Sequence, residues 1–143
     1  MFSFLSLQWS HYAACRQLFE DTFDISEIPS FVSAWPTRFE ERSITAFYKG
    51  ALVGFALIDT KMTLRYICIH PEFQNCGLGS KLLTKILDLS ADARSIWLTT
   101  ADNERLVTWY GRYGFRVVDS SFIYGEFIGA DMVRRSRCRS ALI

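Results

Sequence analysis

The stretch that decides the fold is Gln74-Asn75-Cys76-Gly77-Leu78-Gly79-Ser80, a glycine-rich turn. The apolar run 64–69 before it predicts a mostly buried strand, and apolar residues after it recur at helical spacing. Those helical residues are Leu78, Leu82, Leu83, Ile86 and Leu87. The first backbone N–H groups of a helix lack partners within it and can bind phosphate. Because Gly77 and Gly79 let a ligand approach the backbone closely, the turn is predicted to bind a diphosphate.

Two common nucleotide patterns fit this turn poorly. Leu82 stands where the dinucleotide fingerprint has a third small residue, and no Gly-Lys-Ser/Thr run follows a first glycine. The pattern Gln-x-x-Gly-x-Gly after His70-Pro71 instead resembles the acetyl-coenzyme A loop of the GNAT superfamily of N-acetyltransferases. The alternative is an ordinary strand-turn-helix connection. The resemblance implies acetyl-CoA as co-substrate, bound by residues 74–80.

A second segment resembles the other coenzyme element of this family. Asn103 opens a helix pattern after a strand pattern, and Tyr110 stands four residues before Gly114-Phe115. Seven positions span about two helical turns, so Asn103 and Tyr110 are predicted to share a face. The resemblance implies that Asn103 binds the pantetheine arm and that Tyr110 lies near the thiol. A helix N-cap and a core aromatic are the alternative roles.

Length and composition predict one globular domain, residues 1–143, with 50% apolar and 22% charged residues. No membrane span or secretory signal is recognisable, so we expect a cytoplasmic protein, inside a host cell if it is viral. The four cysteines, Cys15, Cys68, Cys76 and Cys138, are scattered and predicted to be reduced thiols. His11 and His70 are isolated, and we expect no metal site.

The predicted fold class is α/β. The resemblance implies a GNAT-type mixed, mostly antiparallel twisted sheet with splayed central strands and helices on both faces. Strands are predicted at residues 2–7, 43–48, 51–59, 62–70, 95–100, 115–118 and 124–134, with a hairpin at Lys49-Gly50. Helices are predicted from the N-cap Ser10 to Phe23, over residues 28–35, after the glycine turn and from Asn103. The inner face of the first helix is predicted to carry Cys15, Leu18, Phe19 and Phe23.

The resemblance also implies direct acetyl transfer within a ternary complex. The backbone at Ile67, Cys68 and Ile69 would bind the acyl arm, and an N–H near Ile69 would polarise the thioester carbonyl. Tyr110 is the predicted catalytic acid, because a phenol can protonate a departing thiolate. An acyl-enzyme on Cys68 is the alternative, although no nearby His or acid in the sequence would activate the thiol.

The base that deprotonates the amine is left open by the sequence. Many family members have Glu two residues before the position of Ile67, where this chain has Arg65. Glu27, Tyr66, Asp24 or a chain of water molecules are the candidates. We favour an acid acting through water and choose Glu27 as the second catalytic residue.

Charge distribution predicts a small cationic acceptor. Residues 1–133 carry 12 basic and 15 acidic side chains, and the first two helices, which wall the acceptor site in the family, are acidic. The predicted substrate-binding residues are Glu20, Asp24, Glu27 and Phe31. The first three would share one helical face if the helix continued. A solvated acidic helix edge is the alternative.

The whole chain also resembles small polyamine acetyltransferases of chlorella viruses, which implies putrescine, spermidine or spermine as acceptor. Acetylation of a protein lysine, an N-terminus or an aminoglycoside, and a catalytically idle CoA-binding module, are the alternatives. Phe31 and Trp35 are predicted to line the acceptor groove or a homodimer contact. The Arg-rich tail could bind nucleic acid or anionic membrane through charge, but we expect neither partner.

Overall fold

The structure is a computed structural model that describes residues 1–124 and 127–136. Contacts within the chain divide it into two compact units, residues 1–91 (the N-terminal unit) and 92–143 (the C-terminal unit). The single domain expected from the sequence stays a prediction. Among the described residues, no helix has both the length and the apolar character needed to cross a membrane. Arg137, Cys138 and Arg139, which belong to the predicted basic tail and thiols, lie outside the described residues.

The N-terminal unit contains four strands and three α-helices. Each strand pairs antiparallel with the next, in the order β1-β2-β3-β4. The elements are β1 (Phe2–Ser6), α1 (Tyr12–Thr22), α2 (Ile28–Ala34), β2 (Ile44–Tyr48), β3 (Ala51–Ile58), β4 (Thr63–Ile69) and α3 (Leu78–Leu89).

Helices cover both faces of this four-stranded sheet. Adjacent residues of a strand project to opposite faces. A Cβ placed on Gly54 of β3 would lie 3.3 Å from Leu78 of α3. The next residue, Phe55, instead packs its ring 5.9 Å from that of Phe31 on α2. The helix α3 therefore lies on one face, and α2 lies on the other.

The core between the sheet and α1 and α2 is rich in aromatic rings. Its buried members are Leu7, Cys15, Leu18, Phe19, Phe31, Trp35, Phe55, Leu57 and Cys68. Phe19 stacks on Phe31 with ring centroids 4.8 Å apart. Such pairs contribute about 0.5–1.5 kcal/mol beyond the area that they bury. This core holds the first two helices against β3 and β4.

Two local irregularities shape the strands that lead to the glycine turn. The β2–β3 hairpin turns at Lys49 and Gly50, whose φ angles are 51° and 81°. Left-handed φ values at both central residues fit the right-handed twist of the strands, and the predicted hairpin is confirmed. On β4, Leu64 pairs with Ile58 and Tyr66 with Leu57, so Arg65 is the extra residue of a β-bulge.

The C-terminal unit contains β5 (Ser95–Ala101), α4 (Glu104–Gly111), β6 (Arg116–Tyr124) and β7 (Phe127–Arg135). The last strand, β7, lies between β5 and β6 and is antiparallel to both. The described strands of the two units and their helices confirm the α/β class and the mostly antiparallel pairing. The splay of the central strands stays a prediction.

The first helix differs from its prediction at both ends. Ser10 is not the N-cap, because it lies inside a 3-10 turn over Trp9–His11, and α1 begins at Tyr12 after His11. The helix ends at Thr22, and Phe23 has an extended backbone. Phe23 is 37% exposed, so it does not belong to the buried inner face. Cys15, Leu18 and Phe19 are buried as predicted.

Alanine substitutions at two glycines should change stability in opposite directions. Gly50→Ala places a Cβ on a left-handed residue and should lower the free energy of unfolding by about 1–2 kcal/mol. Gly111→Ala lies in α4, where a Cβ meets open space, and should raise the free energy of unfolding by about 0.5–1 kcal/mol. Urea titration of both variants measures the difference, and a Gly50→Ala variant that is not destabilised would contradict the hairpin geometry.

Candidate active site

The turn between β4 and α3 presents unpaired helix donors to a ligand. Gly77 has a φ of 85° and begins the helix, and no side chain caps it. The first helical hydrogen bond runs from Lys81 N to Gly77 O, at 3.1 Å. The amides of Leu78, Gly79 and Ser80 therefore precede the helical ladder, at the positive end of the helix dipole. This arrangement fits the diphosphate of a coenzyme.

Hydrogen bonds within the preceding loop hold this turn in place. The side-chain Nε2 of Gln74 donates to the carbonyl oxygen of Ile69 at 3.1 Å. The thiol of Cys76 donates to Phe73 O at 2.7 Å, and Nδ1 of His70 accepts from Glu72 N. Asn75 adopts a left-handed φ of 64°. The side chains of Gln74 and Cys76 thus shape the loop, and the donors that fit a phosphate are the backbone amides of the helix.

The backbone of β4 carries further donors along the edge opposite β3. His70 N donates to Val53 O on β3. Since successive N–H groups of a strand alternate between its two sides, Ile67 N–H and Ile69 N–H project away from β3. An acyl arm that lies along this edge would meet those two groups. The role predicted for Ile69 is geometrically consistent with the strand.

The thiol of Cys68 is unsuited to nucleophilic attack. It is buried against α1, where Thr22 Oγ1 lies 3.0 Å from its sulfur. Burial raises the pKa of Cys68 to about 12, although the Thr22 hydroxyl partly opposes this shift. The thiol is therefore protonated at neutral pH, and the acyl-enzyme alternative loses its nucleophile. Burial also raises the pKa of Cys15, which is in the same core.

The acidic residues of α1 and of the α1–α2 connection do not form the single face that was predicted. The helix stops at Thr22, and Asp24 has an extended backbone. Its side chain caps a separate 3-10 turn over Ile25–Glu27. Asp24 accepts a hydrogen bond from Ser26 N, which lowers the pKa of its carboxyl. A carboxyl with a lowered pKa is a weaker base, so Asp24 suits cation binding better than proton abstraction.

The remaining acids are partly compensated. Glu20 pairs with Arg16 at 2.9 Å, one helical turn earlier. Asp21 accepts from the side chain of Gln17. Glu27 is half-buried at the start of α2, next to the exposed apolar side chains of Phe23 and Ile25. The connection between the helices therefore combines carboxylates with apolar surface.

Arg65, which replaces the common strand base, and Tyr66, one of the candidate bases, both have defined partners. Arg65 lies 3.6 Å from Asp59 Oδ2, an ion pair that joins both ends of the β3–β4 connection. Tyr66 forms a 2.5 Å hydrogen bond through its hydroxyl to Ser30 Oγ on α2. No sequence pattern predicts the contact of Tyr66 with Ser30, because the two residues are 36 positions apart and no local spacing relates them.

Phe31 and Trp35 belong to the interior of the N-terminal unit. Phe31 is 0% exposed and Trp35 is 1% exposed. The prediction that they form a homodimer contact is wrong, because neither side chain reaches the surface. The ring centroid of Phe31 lies 6.1 Å from that of Tyr66. Phe31 therefore packs against Tyr66 from the interior and does not line an open groove.

The C-terminal unit holds the other predicted coenzyme residues on α4. Asn103 is its N-cap, and its side-chain oxygen accepts from Leu106 N at 2.9 Å. The pantetheine contact implied for Asn103 would use its amide hydrogens. Tyr110 is half-buried near the end of α4 and packs edge-on against Phe115 at 5.8 Å. Its hydroxyl is the acid that the resemblance implies.

A paired carboxylate on β7 was missed from the sequence. Thr99 Oγ1 on β5 donates to Asp131 Oδ1 at 2.6 Å, and the two residues face each other in the strand register. Only the pairing of the strands brings them together, so no motif signals it. Among the residues that the structure describes, no group of three His, Cys, Asp or Glu side chains could hold a metal ion.

Comparison with known proteins identifies the family. The sequence model of the acetyltransferase (GNAT) family matches residues 11–115, which include the glycine turn and Tyr110. The chain belongs to the acetyltransferase (GNAT) family. It is 32% identical over 73 residues to the [ribosomal protein bS18]-alanine N-acetyltransferase of Haemophilus influenzae. This match covers 48% of the chain and 50% of the relative, so the chain spans about half the length of that protein.

Solved structures show the same fold. The ribosomal-protein-S18-alanine N-acetyltransferase of Escherichia coli matches 100% of this chain and 99% of its own, with a TM-score of 0.80 and 19% identity. An Arabidopsis thaliana protein in complex with the bisubstrate analogue CoA-Ac-MVNAL matches 93% of this chain and 97% of its own, with a TM-score of 0.70 and 16% identity. The GNAT fold is thus confirmed, whereas these matches do not support the resemblance to viral polyamine acetyltransferases.

A negative charge on the first turn of α3 should weaken coenzyme binding by this GNAT protein. We expect Gly79→Glu to fold, because an acid at a helix N-terminus is favourable. Repulsion of roughly 1–4 kcal/mol at the diphosphate would lower the affinity about five- to a thousandfold. Isothermal titration calorimetry with acetyl-CoA measures the loss. Thr84→Glu, which adds the same charge at an exposed position of α3, is the control and should bind normally.

Proposed function

We propose that the chain transfers the acetyl group of acetyl-CoA directly to an amine, and that its preferred acceptor is the N-terminal α-amine of a polypeptide. The transfer step is supported by the family and by the unpaired amides that begin α3. The protonated state of Cys68 favours direct attack over a covalent acyl-enzyme. One observation carries the choice of acceptor. Arg65 stands where many family members have a Glu base, and it forms an ion pair with Asp59.

The chain's own residues have three tasks in this transfer. Acetyl-CoA supplies the acetyl thioester. The amides of Leu78, Gly79 and Ser80 would bind its diphosphate, and Ile69 N–H would stabilise the charge that develops on the carbonyl oxygen. Tyr110 would protonate the departing thiolate, since a phenol with a pKa of about 10 can donate to a thiolate whose acid has a pKa of about 8.5. The amine attacks only in its neutral form, so it must either bind as the neutral amine or lose a proton in the site.

The pKa of the acceptor decides how much help this last step needs. A peptide α-amine has a pKa of about 7.8, so roughly one third of it is neutral at pH 7.5. A lysine-like alkylamine has a pKa of about 10.4, and only about one molecule in a thousand is neutral. A site without a strong base therefore favours the α-amine by its chemistry alone. Glu27, acting through water, would accept the remaining proton.

The surface of the α1–α2 connection also favours a polypeptide. Phe23 is 37% exposed and Ile25 79%, while Val32 on α2 is 41% exposed. An extended peptide would cover such side chains, whereas a polyamine would gain little from them. The names of the relatives support the same choice: an alanine N-acetyltransferase and a protein solved with the analogue CoA-Ac-MVNAL.

A polyamine is the second candidate acceptor. Its support is the carboxylates of the α1–α2 connection, among them Asp24, whose pKa is lowered by the hydrogen bond from Ser26 N. If Glu27 anchors a second ammonium, Glu27→Gln should raise the KM for spermidine more than the KM for propylamine. Salt should weaken spermidine use for the same reason. Equal KM changes for both amines would remove the polyamine candidate.

Steady-state kinetics with a matched acceptor panel tests the proposal. The panel contains one peptide with a free N-terminus, the same peptide blocked at its N-terminus but carrying an internal lysine, spermidine and propylamine. We expect the highest kcat/KM for the free N-terminus, and a steeper rise with pH for the alkylamines. Preference for spermidine or for the blocked peptide would refute the α-amine assignment. Coenzyme binding without any turnover would support an idle regulatory module.

Removal of the Tyr110 hydroxyl should slow the chemical step. Tyr110→Phe keeps the ring that packs on Phe115 and removes the proton donor. General acid assistance contributes about 10²- to 10⁴-fold, so kcat should fall by that factor while acetyl-CoA affinity is unchanged. Single-turnover measurements report the step. Tyr113→Phe, the same change three residues later, should be silent, and a Tyr110→Phe rate above half of wild type would exclude the role.

A further inference from the structure

Tyr66 bridges β4 and α2 in the middle of an aromatic cluster. Its ring centroid lies 5.0 Å from Phe19, 6.1 Å from Phe23 and 6.1 Å from Phe31. Its hydroxyl reaches Ser30 Oγ at 2.5 Å, at the first turn of α2. The ring therefore fills the space between β4 and the helix connection. The aromatic neighbours hold the ring, and the hydrogen bond to Ser30 holds the hydroxyl. Tyr66 is half-buried, so part of the residue remains accessible at the surface.

The place of Tyr66 in β4 relates this ring to the acyl-binding backbone. Tyr66 directly precedes Ile67, whose N–H projects from the edge opposite β3. Its side chain lies on the same face as Cys68, which contacts Thr22 at the end of α1. An amine that reaches the acyl group from the side of α1 and α2 would meet the Tyr66 ring before it meets the strand backbone.

We propose that Tyr66, held in position by Ser30, determines specificity by limiting the size of the substituent next to the acceptor amine. The Tyr66 ring leaves space for hydrogen or a small substituent and excludes a branched side chain. The substrate class is therefore a polypeptide whose first residue is Gly, Ala or Ser. This inference rests on the proposed function. The rings of Phe19, Phe23 and Phe31 would line an apolar pocket if the Tyr66 ring were smaller.

Substitution of the ring should enlarge the accepted substituent. We compare three peptides that differ only in their first residue, Gly, Ala or Leu, and measure kcat/KM for each. Wild type should prefer Ala over Leu by at least tenfold, since an apolar pocket discriminates about 10- to 200-fold per methylene group. In Tyr66→Leu, the ratio of Leu-first to Ala-first kcat/KM should rise at least tenfold, mainly through a lower KM for the Leu-first peptide.

A double-mutant cycle tests the role of Ser30. Tyr66→Phe and Ser30→Ala each remove the same hydrogen bond and keep the ring, so both should relax the ratio by an equal two- to fivefold. The double variant should show no further change, because the two residues act through one contact. Ser33→Ala makes the same change at an exposed position of α2, three residues later, and should leave the ratio at the wild-type value.

Several outcomes overturn the inference. They are an unchanged ratio in Tyr66→Leu with normal acetyl-CoA binding by calorimetry, and additive effects in the double variant. If Tyr66→Leu does not fold, the cycle of Tyr66→Phe and Ser30→Ala decides. The proposed function is tested separately in an arm with ethylamine, isopropylamine and 3-methyl-2-butylamine. If these amines are acetylated and the peptides are not, the peptide acceptor is refuted. The ratio of kcat/KM between the larger and the smaller amines would still test the role of Tyr66. No turnover of any amine would overturn both.

Discussion

Gly77 is the residue on which the rest of the candidate site depends, because its left-handed backbone joins β4 to α3 within one short turn. A residue with a Cβ would pay about 1–2 kcal/mol for the same conformation. The absence of a capping side chain at this point leaves the first amides of α3 for a ligand. The buried face of α3, with Leu78, Leu82 and Ile86, then holds those amides against the sheet. Anion binding and core packing are thus joined in one helix.

The strand β4 has different tasks on its different sides. The side chains of Tyr66 and Cys68 enter the aromatic core under α1 and α2. The N–H groups of Ile67 and Ile69 project from the edge opposite β3, where an acyl arm would lie. The core therefore fixes the strand from one direction while its backbone remains suited to binding. Burial of the Cys68 thiol, which keeps its pKa high, follows from the same arrangement.

The sequence predicted those parts of the fold that local patterns determine. The glycine turn, the Lys49-Gly50 hairpin and the Asn103 cap each arise from neighbouring residues, and all three were found. The first helix was predicted too long, because its apolar pattern continues to Phe23 although the chain becomes extended there. Contacts such as Ser30 with Tyr66 and Thr99 with Asp131 arise only from tertiary packing and strand register, which no sequence spacing encodes.

The central claim is that backbone amides of the N-terminal unit bind the coenzyme, and backbone amide chemical shifts test it most directly. In a titration of isotope-labelled protein with coenzyme A, the account predicts the largest shifts at the amides of Leu78, Gly79 and Ser80. Acetyl-CoA should add further shifts at Ile67 and Ile69 through its acyl arm. Saturable binding that leaves all five of these amides unchanged would contradict the account.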